Sequence, residues 1–311
     1  MKIMTLGAGF VADHLPYEKL LGHNGLPARF PISEQGIEDC LEDEEPGVIV
    51  NCMGRTGRPN VDWCESHKEA TYEGNVTLPL LLADWCKKHG VHLIQLGSGC
   101  VYFGKSSNFH MVKSDGSPLP DIGPATTSWT CSWPYKKIED GWKETDFANP
   151  KSFYSKTKYA CDLILGEMSH VTILRLRMPI SELAVPRNFI TKIRGYKQVI
   201  DIPNSVTFMS DLVRCVEWAA QNRPSGIFHV TNPQPLSAAK VMREYQKYFP
   251  EHKFEYITEQ QLDQMTVAKR SNCILNTDKL RLAGFQMSDS GEALERCMAA
   301  YVKNMRRTNV K

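Results

Sequence analysis

The sequence predicts an α/β protein, in which a doubly wound parallel sheet carries a smaller C-terminal lobe. Three observations favour this class. Short apolar segments alternate with segments of helical spacing in the first half of the chain, a glycine-rich turn follows the first apolar segment, and short strands mix with helices after residue 179. We expect residues 1–178 to form the sheet domain, with an insertion at about 103–152, and residues 179–311 to form mainly the lobe.

The strands and helices are predicted from apolar periodicity and from stop signals. The predicted buried strands are 2–6, 48–52, 91–96 and 171–176, with shorter strands at 198–202 and 226–230. The predicted helices are 78–86, 153–168, 209–221 and 237–249. The first of these helices is followed by Lys87, Lys88, His89 and Gly90, a basic last turn with a glycine after it, which is typical of a helix end.

The segment 103–152 departs from this alternation. It is rich in Gly, Pro, Ser and Thr and contains Trp129, Trp133 and Trp142. Two interpretations stay open: a lid over the site, or a surface insertion without a chemical role.

Composition excludes several classes. Among 311 residues, 37 Lys and Arg against 35 Asp and Glu leave a formal charge of +2, which argues against a nucleic-acid binder and against a polybasic membrane-surface protein. We expect no membrane partner and a cytoplasmic location, because the N-terminus lacks the features of a signal peptide and no apolar stretch could span a bilayer. The ten cysteines are scattered without a CxxC pair, which favours reduced thiols and no metal site.

A glycine-rich turn predicts a dinucleotide site. Gly7, Gly9 and Ala12 form a G-x-G-x-x-A variant of the fingerprint, in which the glycines allow a tight turn and close approach to a pyrophosphate. We expect a helix to begin here and its N-terminal N–H groups to bind the phosphates, although Pro16 shortens or bends that helix. No acid occupies 27–30, where the second strand is expected to end, and Arg29 could meet a 2′-phosphate. NADPH is therefore favoured, with NADH as the alternative.

A second motif indicates proton transfer. Tyr154 and Lys158 are one helical turn apart on one face, and a nearby ammonium is expected to lower the pKa of the phenol. Ser98 follows a predicted strand, at the sheet edge where α/β proteins bind ligands.

These motifs together resemble the extended short-chain dehydrogenase/reductase family of nucleotide-sugar enzymes. Three further segments resemble the plant-type bifunctional 3,5-epimerase/4-reductases that make UDP-L-rhamnose: 54–65 (GRTGRPNVDWCE), 175–180 (RLRMPI) and 186–193 (PRNFITKI). The matches run to about Asp211, and the insertion is longer than is usual in the family. The resemblance implies an NADP-binding Rossmann fold in 1–178 and a sugar-nucleotide lobe in 179–311.

The resemblance also implies residue roles. Ser98 and Tyr154 would bind the 4-keto oxygen, Lys158 would bind the nicotinamide ribose, and Cys100 and Lys192 would exchange protons on opposite faces of the sugar. The residues it implies for the cofactor are Gly7, Gly9, Phe10, Val11, Arg29, Met53, Gly54, Arg55, Asn75, Leu96, Tyr154, Lys158 and Met178. Those implied for the substrate are Arg58, Asn60, Ser98, Cys100, Asn188 and Phe189. Taken alone, Cys100 is as well explained by a small buried side chain, and Lys192 by a solvated surface lysine.

The resemblance leaves three functions to distinguish. The leading one is NADPH-dependent epimerisation and reduction of UDP-4-keto-6-deoxy-D-glucose to UDP-L-rhamnose, by an enzyme that is a homodimer. The alternatives are a reductase without epimerase activity, of the dTDP-4-dehydrorhamnose reductase type, and a catalytically silent NADP-binding regulatory subunit.

Overall fold

The computed structural model describes residues 1–19, 32–106, 109–113, 135–139 and 141–308. Its strands are β1 (Ile3–Leu6), β2 (Glu18–Lys19), β3 (Val48–Asn51), β4 (His92–Ser98), β5 (Phe109–Lys113), β6 (Tyr135–Glu139), β7 (Val171–Leu176), β8 (Pro179–Ile180), β9 (Gln198–Val199), β10 (Thr207–Phe208), β11 (Gly226–His229) and β12 (Glu255–Tyr256). Its α-helices are α1 (Glu34–Leu41), α2 (Trp63–Ser66), α3 (Lys68–Tyr72), α4 (Leu78–Lys88), α5 (Phe153–Leu165), α6 (Phe189–Ile193), α7 (Met209–Asn222), α8 (Ala238–Gln246), α9 (Glu259–Met265), α10 (Asp278–Leu282) and α11 (Ser290–Thr308).

Six of the described strands form one parallel sheet in the order β11-β7-β4-β3-β1-β2, and the other six form three pairs, β8 with β10, β9 with β12 and β5 with β6. Leu6 pairs with Asn51 and Asn51 with Gln95, so the strands end at a common edge. The strand order reverses at β1, between β2 and β3. In open α/β sheets this switch point is where ligands bind, beyond the carboxyl ends of the strands.

Helices cover both faces of the sheet, because alternate side chains of each buried strand point in opposite directions. Val48 and Val50 share a core with α7, whereas Ile49 shares one with α1, α4 and α5. The prediction of a doubly wound parallel sheet is therefore confirmed. The predicted end of α4 is also found, with His89 after a basic last turn and Gly90 at a φ of +66°.

The expected helix after the first strand is not found. Residues Ala12–His14 form a single 3₁₀ turn, and Leu15 is already extended, with a φ of −78° and a ψ of 134°. Pro16 explains this, since a proline disfavours helical backbone at the residue before it. As a result β2 starts at Glu18, well before the 27–30 stretch in which we expected the second strand to end.

A second core lies in the C-terminal part of the chain, around α6, α8 and α11. The chain is not simply divided at residue 178, however, because α7 packs on the large sheet and β11 pairs with β7. The predicted domain boundaries stay predictions.

The described part of the insertion contains an antiparallel pair, β5 with β6. Trp142 stacks on Tyr102, with ring centroids 5.0 Å apart, and its indole N–H donates to the Gly104 carbonyl at 3.0 Å. Trp142 thus packs in a small core, while Trp129 and Trp133 lie outside the described residues.

No helix in the described ranges is both long and apolar enough to cross a bilayer. No group of His, Cys, Asp and Glu side chains in them could hold a metal ion.

Candidate active site

The turn after β1 approaches β3 closely and then opens. Gly7 has a φ of +102° and Gly9 a φ of +149°, in a region that residues with a Cβ rarely adopt. A Cβ on Gly7 would lie 2.8 Å from the Met53 Cγ, whereas a Cβ on Gly9 would meet nothing within 4 Å. The first glycine therefore permits packing, and the second leaves open space beside exposed backbone at the switch point. This arrangement fits the pyrophosphate of a dinucleotide.

Phe10 and Val11 direct their side chains into the protein, where both pack against the core on the α7 side of the sheet. The Phe10 ring also meets the His14 ring edge-on at 4.8 Å. We therefore expect only the backbone of these two residues to face a cofactor.

His14 ties this turn to the C-terminal lobe and was missed by the sequence analysis. Its Nδ1 lies 2.6 Å from the Phe10 carbonyl oxygen and its Nε2 lies 2.6 Å from the Ser181 Oγ. A carbonyl oxygen only accepts, so Nδ1 carries a proton and donates it to Phe10. No local pattern could reveal the contact with Ser181, because the partners are 167 residues apart in sequence.

The side chain of Asn75 supports the loop after β3 by hydrogen bonding to its backbone. This side chain is fully buried in a π-helical turn, Glu73–Thr77. The Oδ1 accepts from the Arg55 N–H at 2.8 Å, and the Nδ2 donates to the Arg55 carbonyl at 3.0 Å and to the Thr157 Oγ1 at 3.2 Å. Asn75 thus joins the loop that contains Met53, Gly54 and Arg55 to the helix that contains Tyr154.

The loop that follows contains Arg58 and Asn60, whose side chains are exposed. Arg187 holds this loop to the C-terminal lobe, since its guanidinium donates to the Thr56 Oγ1 at 2.8 Å and to the Gly57 carbonyl at 3.2 Å. The predicted substrate contacts of Arg58 and Asn60 stay predictions.

Ser98 and Cys100 stand together at the end of β4. The Ser98 Oγ lies 2.9 Å from the Cys100 Sγ and accepts from the Cys100 N–H at 3.3 Å. A second hydroxyl, that of Ser155, lies 3.2 Å from the same sulfur. Both Ser98 and Cys100 are partly exposed. The thiol is therefore not a fully buried apolar group, and two hydroxyls point at it.

Helix α5 supplies Tyr154 and Lys158. Ser152 caps the helix, since its Oγ accepts from the Ser155 N–H at 3.1 Å. The Lys158 ammonium is buried and donates to the Leu96 carbonyl at 2.9 Å, so Leu96 offers its backbone rather than its side chain.

The pKa of Tyr154 moves opposite to our expectation. Burial, followed by the nearby Cys100, raises the pKa well above the ordinary value of 10.0, while a hydrogen bond with Ser98 opposes the rise. The expectation that a neighbouring ammonium lowers it is wrong here, because desolvation of the phenolate dominates. Tyr154 is thus a neutral phenol at physiological pH, in the form that donates a proton.

Lys192 lies on α6 and is half-buried. Burial lowers its pKa from the ordinary value of 10.5, and the positive charge of Arg187 lowers it further. Both effects favour the neutral amine, the form that accepts a proton. The interpretation as a fully solvated surface lysine does not fit this burial.

Asn188 has a different role from the one expected. Its side chain is completely buried, its Nδ2 donates to the Ser181 and Leu183 carbonyls at 2.6 and 2.7 Å, and its Oδ1 accepts from the Ser181 and Ile190 N–H groups. Because the protein already uses this amide, the expected substrate contact is corrected: Asn188 caps α6 and shapes the loop before it.

Three other residues, Met178, Phe189 and Arg29, were predicted to bind the cofactor or the substrate. Phe189 and Met178 pack partly against the C-terminal core, and Met178 has a positive φ of 36°. Such backbone is sparsely populated and tends to occur near functional sites. Arg29 lies outside the described residues, so its proposed contact with a 2′-phosphate stays a prediction.

Comparison with known proteins agrees with this geometry. A family described as the RmlD substrate binding domain matches residues 32–128. A bifunctional dTDP-4-dehydrorhamnose 3,5-epimerase/dTDP-4-dehydrorhamnose reductase of Arabidopsis thaliana is 38% identical over 250 residues, which cover 79% of this chain and 74% of that protein.

A trifunctional UDP-glucose 4,6-dehydratase/UDP-4-keto-6-deoxy-D-glucose 3,5-epimerase/UDP-4-keto-L-rhamnose-reductase of the same plant is 36% identical over 244 residues. The match covers 78% of this chain and about one third (33%) of that longer protein. Among solved structures, the UDP-rhamnose synthase of Acanthamoeba polyphaga mimivirus superposes with a TM-score of 0.79 and 26% identity, over 96% of this chain and 99% of that one.

The identity and coverage of the bifunctional relative confirm the resemblance found in the sequence. The chain belongs to the family of bifunctional dTDP-4-dehydrorhamnose 3,5-epimerase/dTDP-4-dehydrorhamnose reductases.

Proposed function

We propose that this protein converts UDP-4-keto-6-deoxy-D-glucose to UDP-L-rhamnose, by epimerisation at C3 and C5 and then by NADPH-dependent reduction at C4. The observation that carries the proposal is the cluster at the end of β4, where the hydroxyls of Ser98 and Tyr154 and the thiol of Cys100 share one corner of the sheet edge. Relatives named for both a 3,5-epimerase and a reductase activity support it.

The cofactor would lie across the switch point. The backbone of Gly7 and Gly9 would contact its pyrophosphate, and the buried Lys158 would bind its nicotinamide ribose. When bound, NADPH supplies the hydride that C4 accepts. A buried lysine anchored on Leu96 is a rigid donor for that ribose.

The reduction needs one proton at O4. Tyr154 would donate it, because its raised pKa keeps the phenol protonated at neutral pH. Ser98 would donate a hydrogen bond to the same oxygen and would thereby stabilise the negative charge that develops there.

The epimerisation needs two groups on opposite faces of the sugar. The 4-keto group acidifies the hydrogens at C3 and C5, so one base removes a proton to form an enolate and a second group returns a proton from the other face. Cys100 and Lys192 would form this pair. Burial and the charge of Arg187 lower the pKa of Lys192, so its ammonium gives up a proton more readily than that of a solvated lysine.

The proposal also specifies the nucleotide, a UDP-linked rather than a dTDP-linked sugar. The plant relatives are named for dTDP-linked and for UDP-linked sugars, and the viral relative is named as a UDP-rhamnose synthase. Arg58, Asn60 and Phe189 are the residues that we assign to the sugar-nucleotide side. Initial rates with both 4-keto-6-deoxy sugar nucleotides, each with NADPH and with NADH, would test the choice of nucleotide and of cofactor.

The Cys100→Ala variant tests the two half-reactions separately. We expect it to reduce the pre-epimerised 4-keto-rhamnose nucleotide, because Ser98 and Tyr154 remain. Deuterium uptake from solvent at C3 and C5, followed by NMR or mass spectrometry, should fall by about 10² or more, since one of two acid–base groups is lost.

The possible results separate the three functions. Undiminished deuterium uptake in the variant would contradict the role of Cys100. No uptake in the unmodified protein, with NADPH oxidation intact, would indicate a reductase alone. Absence of both activities in folded protein would indicate a regulatory subunit.

We also propose that the protein forms a homodimer and that α5 lies at the contact between the two copies. The helix leaves two large apolar side chains in solvent, Leu163 at 57% and Ile164 at 47% exposure. Adjacent apolar residues on one exposed helix favour contact with a second copy.

A further inference from the structure

The sulfur of Cys100 has two hydroxyl partners, and only one of them is used elsewhere in the proposed reaction. Ser98 approaches the sulfur at 2.9 Å and Ser155 approaches it at 3.2 Å. A serine hydroxyl carries a single proton, so it donates one hydrogen bond at a time. When Ser98 donates to the sugar's 4-oxygen, it therefore withdraws its donation from the sulfur.

The Ser155 hydroxyl is held within hydrogen-bond distance of the Cys100 sulfur. Ser155 is 3% exposed and lies in the first turn of α5. Its N–H donates to the Ser152 Oγ at 3.1 Å, and the two hydroxyl oxygens are 2.8 Å apart. With the Ser152 proton donated to the Ser155 Oγ, the Ser155 proton is left for the sulfur.

We propose that Ser155 is a positioning residue for the epimerisation: it keeps a hydrogen bond on the Cys100 thiolate while Ser98 is engaged with the 4-oxygen. This inference rests on the proposed function of Cys100. In the exchange, the thiolate takes the proton from carbon, or the thiol returns one to it, and Ser155 keeps its own proton throughout. Ser155 thus lowers the cost of the charged sulfur without entering the chemistry.

The pH dependence of Cys100 alkylation tests the contact directly. Only the thiolate reacts with iodoacetamide, and mass spectrometry follows the peptide that contains Cys100. In Ser155→Ala we expect alkylation at neutral pH to slow about ten-fold, with the profile displaced to higher pH, because a hydrogen bond to a charged group is lost. Cys40, a partly exposed thiol on α1, is the internal control and should react at an unchanged rate.

A second measurement separates this role from general damage to the site. In Ser155→Ala, deuterium uptake at C3 and C5 should fall about ten-fold or more, while reduction of the pre-epimerised substrate falls less than about three-fold. Ser155→Thr, which retains the hydroxyl, should recover most of both the uptake and the alkylation profile. Alanine is a strong helix former, so the variant is expected to fold.

The results distinguish this proposal from the one on which it rests. An unchanged Cys100 profile in Ser155→Ala would overturn the contact, as would equal losses of uptake and reduction. If Ser155→Ala changes neither measurement while Cys100→Ala stops uptake, this inference fails alone. If Cys100→Ala leaves uptake intact, the proposed function of Cys100 fails, and the positioning role of Ser155 fails with it.

Discussion

At the scale of single residues, burial favours the neutral form of two groups to which we assign proton transfer. The pKa of Tyr154 is raised and that of Lys192 is lowered, in both cases mainly because the charged form loses its water. A neutral phenol donates a proton, and a neutral amine accepts one. The same physical effect, desolvation, therefore shifts both groups towards their neutral forms, a phenol and an amine.

The charge of Arg187 offers a test of Lys192. In Arg187→Gln the nearby positive charge is removed while hydrogen-bond donors to Thr56 and Gly57 remain. The ammonium of Lys192 becomes easier to form, so its pKa rises and its neutral fraction appears at higher pH. We expect the pH profile of deuterium uptake to move upward by about half a pH unit or more.

The matched control for this charge change is Arg296→Gln. Arg296 is an exposed arginine on α11, paired with Glu292 at 3.5 Å. Its removal should leave the uptake profile in place. If the pH profile of deuterium uptake does not move in Arg187→Gln, Lys192 is not the base observed in the exchange.

At the scale of elements, the π-helical turn Glu73–Thr77 connects the two halves of the site. It places one buried amide, that of Asn75, against a loop on one side and helix α5 on the other. π-Helical turns are rare and frequently occur at functional sites. The family resemblance identified Asn75 as a support of the cofactor site, but the contact with Thr157 depends on how two distant segments pack.

Asn75→Ala should destabilise the protein and weaken cofactor binding together. The change leaves the N–H and the carbonyl of Arg55 without these partners, which we expect to cost about 2–4 kcal/mol in the free energy of unfolding. The loop beside the dinucleotide would loosen, so the Kd for NADPH should rise. Denaturant unfolding and a fluorescence titration with NADPH measure the two effects.

Asn222→Ala is the control for loss of an amide on a helix. Its exposed side chain donates to the Trp218 carbonyl at 2.8 Å, and replacement should cost less than about 0.5 kcal/mol. An Asn75→Ala protein as stable as this control would refute the supporting role that we assign to Asn75.

At the scale of the whole molecule, the sheet explains why the site lies where it does. The switch point at β1 and the ends of β3 and β4 place the glycine turn, the Arg55 loop and Ser98 at one edge. Arg187, just before α6, reaches the loop after β3 through Thr56, and His14 reaches Ser181, so these two contacts connect the two parts of the chain.

The proposed dimer is tested by charge on α5. Replacing both Leu163 and Ile164 with Glu should convert the homodimer to a monomer, because two carboxylates would be buried without partners. Size-exclusion chromatography with light scattering measures the mass. Leu282→Glu, on a leucine of α10 that is 76% exposed, should leave the mass unchanged. A monomer in the unmodified protein at micromolar concentration would exclude the dimer.

Local sequence determined the regular part of this molecule. Short apolar segments, alternating with segments of helical spacing, located the strands around Val48, Leu93 and Val171. The spacing of Tyr154 and Lys158 located one helix of the site. Both signals lie within short stretches of the chain, so they can be read without knowing the tertiary structure. Pro16 also indicated a short first helix, although not that only one 3₁₀ turn would remain.

Only the tertiary structure decided which groups meet across the chain. His14 contacts Ser181 and Cys100 contacts Ser155, and both contacts depend on packing between segments far apart in sequence. Asn188 turns its amide inward, towards carbonyls only five and seven residues away, because of the fold of its own loop. The direction of the Tyr154 pKa was decided there too, since desolvation is set by everything that surrounds the ring and not by the lysine four residues away.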